Sequence, residues 1–375
     1  MGNSENLGSI LESNVINLSG NVSLYNLTVH SFDDILSQYD YELPPELIAN
    51  APAEPRDSAR LMVFDRKTKQ IQFATFRDLP KYLPKNTLLV LNETKVIPAR
   101  LTLKRKNGSL VAILFLGTHA NLLRVLSPKK LTEGEILCIP GDGSQYFTVI
   151  HREEKAWILA PSFPLSELQN LLKEKGSMPL PPYIKNTPLS ESELREKYQT
   201  VFAKTEGSIA APTASLHFTP ELLKELQRQG TEIAYITLHV HLGTFAPLTE
   251  GQWKKKQLHT EEYVIPEEIQ RALRKAKIAG KCITAVGTTV VRTLESACSP
   301  DGTVLEAFGT TNIFISEGYK FKIVDALITN FHVPRSSLLM LVSAFAGREE
   351  ILNCYEEAKK NKLRFYSFGD GMLIL

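Results

Sequence analysis

Two short segments share a build. Val286-Gly287-Thr288-Thr289 and His332-Val333-Pro334-Arg335-Ser336-Ser337 each follow a strand-like apolar run and precede a helix-like one. A hydroxyl-led helix start presents unpaired backbone N–H groups and the positive end of the helix dipole. That combination suits a carboxylate or phosphate. Thr and Ser also cap helices without binding anything, which is their commoner role. Arg335 and His332 beside the second turn tilt the reading towards an anion site. In open α/β sheets such turns lie off the carboxyl ends of the strands, where ligands bind.

Histidines are the next candidates. His217, in AAPTASLHFTP, stands two residues before a helix cap. The helix dipole would lower its pKa and keep it neutral, as suits a base or an acceptor. A hydrogen-bonded structural role fits it equally well. His239 and His241 alternate along one strand-like run and so face the same side. With His259 they would make a metal trio, but no acidic ligand stands at a diagnostic spacing, and no metal is expected.

The elements that must position these groups follow from patterning. The chain has 375 residues, 43% of them apolar, which suggests two domains and a sizeable core. Residues 1–29 read as a poorly ordered extension. From residue 88 to 172, short β-like runs alternate with turn residues every 8–12 positions, the spacing of a small barrel or sandwich. After Tyr198, strands alternate with helices, as in a mixed or parallel sheet covered on both faces. The expectation is a discontinuous α/β domain (30–87 and 173–375) carrying an inserted β-barrel (88–172).

No apolar run approaches the ~20 residues of a membrane span. The first 55 residues hold no Lys or Arg, which disfavours a secretory or transit signal, so a cytoplasmic protein is expected. Cys138, Cys282, Cys298 and Cys354 form no CxxC pair and read as small core hydrophobes. There is no GxxxxGK[ST], no complete GxGxxG and no GxSxG, so ATP, dinucleotide and serine-hydrolase readings lack support. The net charge of +2 conceals a local excess. Residues 88–130 hold Lys95, Arg100, Lys104, Arg105, Lys106, Arg124, Lys129 and Lys130 against the single acid Glu93. A basic β-rich surface suits an RNA backbone, although a solvated barrel rim would have the same composition.

At this point the stretches YDYELPPELIANAPAEPRDSARLMV, LLVLNETKVIPARL, MPLPPYI, YQTVFAKTEGSIAAPTASLHFT, ITLHVHLGTFAPL, AVGTTVVRTLES, ALITNFHVPRSSLLMLVSAFAG and RFYSFGDGMLI carry a resemblance. In type and order they resemble the S-adenosylmethionine:tRNA ribosyltransferase-isomerase family of queuosine biosynthesis, from about Tyr39 to the C-terminus. The resemblance implies a β-barrel inserted in an α/β/α domain. It implies transfer and isomerisation of the ribosyl part of S-adenosylmethionine onto 7-aminomethyl-7-deazaguanine at the tRNA wobble position, yielding epoxyqueuosine, adenine and methionine. The partners are then tRNA and S-adenosylmethionine, with no further cofactor, and the chain is expected to act as a monomer. The family usually has Gly at the position of His241.

Such chemistry needs a base for the acidified C5′ hydrogens, a proton donor for adenine, donors for the methionine carboxylate and flat walls for the bases. His217, His239 and His332 are the acid–base candidates. Asp370, in the YSFGD turn, is a further acid–base group or a ribose acceptor. Thr288, Thr289, Arg292 and Arg335 would hold carboxylate or phosphate, and Tyr183, Phe331 and Phe365 would form walls. Arg100, Lys104, Arg105, Lys106, Arg124, Lys129 and Lys130 would meet the tRNA backbone. Competing readings are a catalytically dead tRNA-binding protein, a metal hydrolase on His239, His241 and His259, and a methyltransferase. The intact motifs, the missing acidic ligand and the missing Gly-rich loop disfavour them in turn.

Overall fold

The computed structural model describes residues 31–141, 144–240 and 247–375. The expected N-terminal extension and His241 lie outside them. The chain begins with α1 (Phe32–Ser37), where Ser31 and Asp34 form a capping box. Then come β1 (Arg60–Phe64), β2 (Ile71–Thr75), α2 (Leu79–Tyr82), β3 (Thr87–Asn92) and β4 (Thr94–Val96). Next come β5 (Arg100–Arg105), β6 (Leu110–His119), β7 (Leu122–Leu126), β8 (Ile136–Cys138), β9 (Tyr146–Glu153), β10 (Ala156–Pro161) and α3 (Leu168–Lys175). The return path runs through α4 (Glu191–Lys197), β11 (Thr205–Ser208), α5 (Pro220–Arg228), β12 (Glu232–Leu238), α6 (Glu250–Lys255), β13 (Gln257–Val264) and α7 (Glu267–Ile278). It closes with β14 (Cys282–Val286), α8 (Thr288–Ala297), β15 (Phe308–Ile313), β16 (Ala326–Asn330), α9 (Ser337–Ala346), α10 (Arg348–Lys360) and β17 (Gly371–Ile374).

A nine-stranded sheet in the order β15-β13-β12-β3-β14-β16-β17-β1-β2 forms the large domain. Its centre, β12, β3, β14 and β16, is parallel, and antiparallel pairs flank it. In β3, Leu88 and Val90 pack into one core, with α7 to α10, while Leu89 and Leu91 pack into the other, with α5. A strand buried on both faces shows no alternation in its sequence. That is why residues 88–92 read as part of the barrel, and here the expected boundary is corrected. The strand sits in the middle of the large sheet, and the barrel begins at Arg100.

The barrel is closed by β10-β7-β6-β5-β8-β9. Its strands alternate: in β5, Leu101 and Leu103 point inward while Arg100, Thr102 and Lys104 are exposed. Leu168, Leu171 and Leu172 of α3 join the barrel core, so the insert extends through that helix. The outgoing and returning chains pair at a neck. Arg100 N donates to Ser177 O (3.2 Å), and Ser177 N donates to Arg100 O (2.8 Å). A Cβ on Gly176 would lie 2.0 Å from Pro98 O, so only glycine lets the two chains touch here. Cys298 and Cys354 are buried, Cys138 and Cys282 are half-buried, and all four are free. Among the described residues, no helix is long and apolar enough to cross a membrane.

Candidate functional site

The two strand–turn–helix segments converge. β14 and β16 are neighbours, so the starts of α8 and the 332–337 turn lie side by side at the carboxyl ends of the parallel strands. Between them lies a small cleft with about 50 Å³ of free volume. Thr288, Thr289, Phe331, His332 and Tyr183 all line it, together with Thr213, Val240, Thr329, Asn330, Tyr366 and Ser367.

The floor of the cleft is the N-terminus of α8. Gly287 (φ 89°) precedes that helix with no side-chain cap. The Thr289 hydroxyl is buried and has no hydrogen-bond partner among the described residues. Desolvating a hydroxyl without compensation costs about 1–3 kcal/mol, so a bound acceptor would repair a standing deficit. Among the described residues, no Asp, Glu, Lys or Arg lines the cleft. Attraction for an anion there rests on the helix end and hydroxyls.

His332 occupies the opposite wall. Its Nε2 is 3.1 Å from Thr329 Oγ1, and its Nδ1 is 3.5 Å from the Tyr355 hydroxyl. The Tyr355 hydroxyl also accepts from His332 N (2.8 Å), and the Tyr41 hydroxyl donates to His332 O. Burial lowers the imidazole pKa to about 3, so the ring is neutral. Tyr183 and Tyr366 form an aromatic flank with ring centroids 4.7 Å apart, and the Tyr183 hydroxyl is 2.7 Å from Ser367 Oγ. Tyr366 has φ 69°, a conformation costly for a bulky side chain and characteristic of functional sites.

Other expected site residues lie elsewhere. His217 does not line the cleft. Its ring stacks on Phe76 (4.3 Å), and Nε2 is 3.5 Å from Asn330 Nδ2. Its pKa is lowered to about 3, first by burial and then by the charges of Arg364 and Arg56, not by a helix dipole. Asn330 Oδ1 accepts from Thr213 Oγ1 (2.8 Å), so His217 supports a polar pair on the cleft wall. Asp370 is a buried anchor that accepts from Arg60 N (3.0 Å), Arg364 N (2.7 Å) and Arg364 Nη2 (3.2 Å). It holds the turn that presents Tyr366 and Ser367 and does not line the cleft itself. Phe365 is core, packed behind Phe331 at 4.8 Å.

The two arginines are already committed. Arg292 is buried and ion-paired with buried Glu261 of β13. Arg335 is paired with Asp33 and Asp40, and its backbone N donates to Tyr39 O (2.8 Å), fastening the N-terminal helix to the 332–337 turn. His239 stands apart from the cleft, with Nδ1 2.9 Å from Thr94 Oγ1, on the wall of a second cavity between barrel and large domain. His259 is exposed on β13. Among the described residues, no three His, Cys, Asp or Glu gather to hold a metal.

The basic set divides. Arg105 is paired with Glu135 (3.2 Å) and donates to Lys130 O (2.7 Å), while Lys129 Nζ reaches Leu110 O (2.9 Å). These contacts gather Lys104, Arg105, Lys106, Lys129 and Lys130 at the β5–β6 end of the barrel. Arg124 is exposed on β7, and Arg100 lies at the neck. Sequence reading missed Thr213, Asn330, Thr329, Tyr366 and Ser367. Only the strand-end position of Asn330 offered a local signal.

The sequence profile described as "Queuosine biosynthesis protein" matches residues 36–374. The S-adenosylmethionine:tRNA ribosyltransferase-isomerase of Thermotoga maritima is 48% identical over 347 residues, covering 91% of this chain and 99% of that protein. The protein of the same name from Rubrobacter xylanophilus is 47% identical over 339 residues, covering 90% and 97%. A crystal structure of S-adenosylmethionine tRNA ribosyltransferase from Thermotoga maritima superposes with a TM-score of 0.51. The superposition has 37% identity and covers 90% of this chain and 100% of that one.

Proposed function

The chain belongs to the queuosine biosynthesis protein family, and on that premise we propose that it is an S-adenosylmethionine:tRNA ribosyltransferase-isomerase. It transfers and rearranges the ribosyl moiety of S-adenosylmethionine onto 7-aminomethyl-7-deazaguanine at the tRNA wobble position. Epoxyqueuosine forms, and adenine and methionine leave.

The observation that carries this reading is the start of α8 without a side-chain cap, with the buried Thr289 hydroxyl unpartnered among the described residues, at the strand ends. A methionine carboxylate there would accept from backbone N–H groups and from Thr289. The sulfonium makes the C5′ hydrogens acidic, and a base removes one. His332 is our candidate for that base, because among the described residues it is the imidazole that lines the cleft, and burial keeps it unprotonated. The same burial makes it a weak base, so its help would lie in position more than in proton affinity. His217 holds Asn330, Asp370 holds the 365–370 turn, and Tyr183 and Tyr366 offer flat surfaces. The exposed lysines of the barrel end meet the tRNA phosphates.

The test is to incubate the protein with precursor-bearing tRNA and S-adenosylmethionine, then analyse wobble nucleosides by mass spectrometry alongside released adenine. The epoxyqueuosine mass with stoichiometric adenine is expected. Unchanged precursor would overturn the reading. His332→Gln should lower single-turnover rates by about 10²–10⁴-fold. A near-wild-type rate removes His332 from the chemistry.

A further inference from the structure

The cleft at the strand ends encloses only about 50 Å³ of free space, too little to enclose a whole nucleoside. Pockets that enclose ligands of that size run to about 300–1,000 Å³. The cavity between barrel and large domain has about 540 Å³ of free volume. Much of its wall is apolar, with Ile97, Pro98, Phe115, Leu116 and Leu168 among its members, and Thr118, Ser166 and Gln169 supply polar groups.

Three features mark it as built. β6 breaks register between Phe115 and Gly117, and both residues line the cavity. Bulges of this kind recur beside binding sites, where they re-aim side chains. The His239 ring lies against Gly207 so closely that a Cβ there would be 2.9 Å from Cε1. Thr94 then fixes that ring through Nδ1, and Thr94 is itself held by Asn92 Oδ1 (3.1 Å). An imidazole is thus clamped on the cavity wall by a glycine and a buried threonine.

The cavity also adjoins the cleft. Gly207, Ile209 and His239 line the cavity, while Ala211 and Val240 line the cleft, and Ile209 N donates to Val240 O (2.9 Å). Among the described residues, two paired stretches of chain separate the two spaces at this point.

The geometry points to the inter-domain cavity as the seat of a purine-type nucleoside, its flat base lying between Phe115, Leu116 and the clamped His239. For the identity of the ligand this rests on the proposed function; for the site it rests on the cavity alone. The nucleoside has two sources: the target nucleotide turned out of the RNA, which leaves C5′ of the co-substrate to His332, or the adenosyl part of the small co-substrate, which would carry C5′ away from His332 and remove that residue as its base.

Both are tested with Leu116→Trp and Ser166→Trp, which fill the cavity from the barrel side and from the exposed segment before α3. Ser166 is exposed, so its variant serves if the first fails to fold, as judged by thermal melting. Adenosine and an unmodified anticodon stem-loop RNA are the probes, titrated calorimetrically. At least a tenfold loss of adenosine affinity with RNA affinity intact assigns the cavity to the co-substrate. The same loss for RNA alone assigns it to the target nucleotide. Unchanged affinity for both, or no wild-type binding of either, overturns the proposal. If the wild type produces no epoxyqueuosine yet binds adenosine in a Trp-sensitive way, the proposed reaction falls and the nucleoside site stands.

Discussion

Thr289 separates a binding role from a structural one unusually well. Its hydroxyl has no partner among the described residues, so Thr289→Val removes a buried, unsatisfied group and keeps the shape. The melting temperature should hold or rise. The KM for S-adenosylmethionine should rise about 10–100-fold, as expected when a hydrogen bond to a charged group is removed. A drop in stability without a change in KM would make the threonine part of the scaffold. The buried histidines predict a pH dependence. His217 and His332 have folded pKa values of about 3, below the ordinary 6.5. Between those values the unfolded chain binds protons that the folded chain does not. Their contribution is therefore fully present above pH 6.5 and is lost as pH falls. Each should remove about 2 kcal/mol of stability between pH 7 and pH 5. Urea melts at the two pH values should show this, and His217→Gln should flatten the dependence by one histidine's share.

At the scale of elements, the two strand–turn–helix segments were legible because each carries its own punctuation: an apolar run, a Gly or Pro turn, then hydroxyls. The elements that complete the site carry no such mark. Tyr366 and Ser367 reach the cleft because Asp370 folds their turn onto Arg60 and Arg364, and Arg60 lies some 300 residues away in the chain. β13 carries no clear strand signal because its inward positions include Glu261, whose burial makes sense only with Arg292 opposite. Arg292→Met would strand that carboxylate and cost about 3–5 kcal/mol, measurable by urea unfolding. The neck is equally intolerant. Gly176→Ala should lose about 2 kcal/mol or more, because its Cβ meets the backbone oxygen of Pro98 and not a flexible side chain. An alanine variant as stable as wild type would mean that the two chains can part.

For the whole molecule, both fold classes could be read from texture, while the sheet membership of residues 88–92 could not. Periodicity does not separate a doubly buried strand from the run of barrel strands that follows it. Charge was legible as composition only. Once folded, Lys95 is spent on Glu206 and Arg105 on Glu135, leaving Lys104, Lys106, Lys129 and Lys130 exposed at the barrel end. Lys104→Glu, Lys106→Glu and Lys130→Glu combined should weaken tRNA binding. The salt slope should fall by about one unit for each phosphate that is no longer neutralised. An unchanged slope would leave these lysines as a solvated rim.

The neck has a consequence for assembly of the chain. β3 must find β12, with roughly 140 residues between them, and entropy opposes closing so long a loop. The barrel is built by pairing strands that are near neighbours in sequence and can form first. Once Arg100 and Ser177 are paired, the insert is short-circuited and the effective loop shrinks to roughly 60 residues. That relief is worth about 0.7 kcal/mol by loop-closure scaling. A barrel formed first would act as a tether for the sheet, so a variant with an opened neck should refold more slowly even where its native packing is kept.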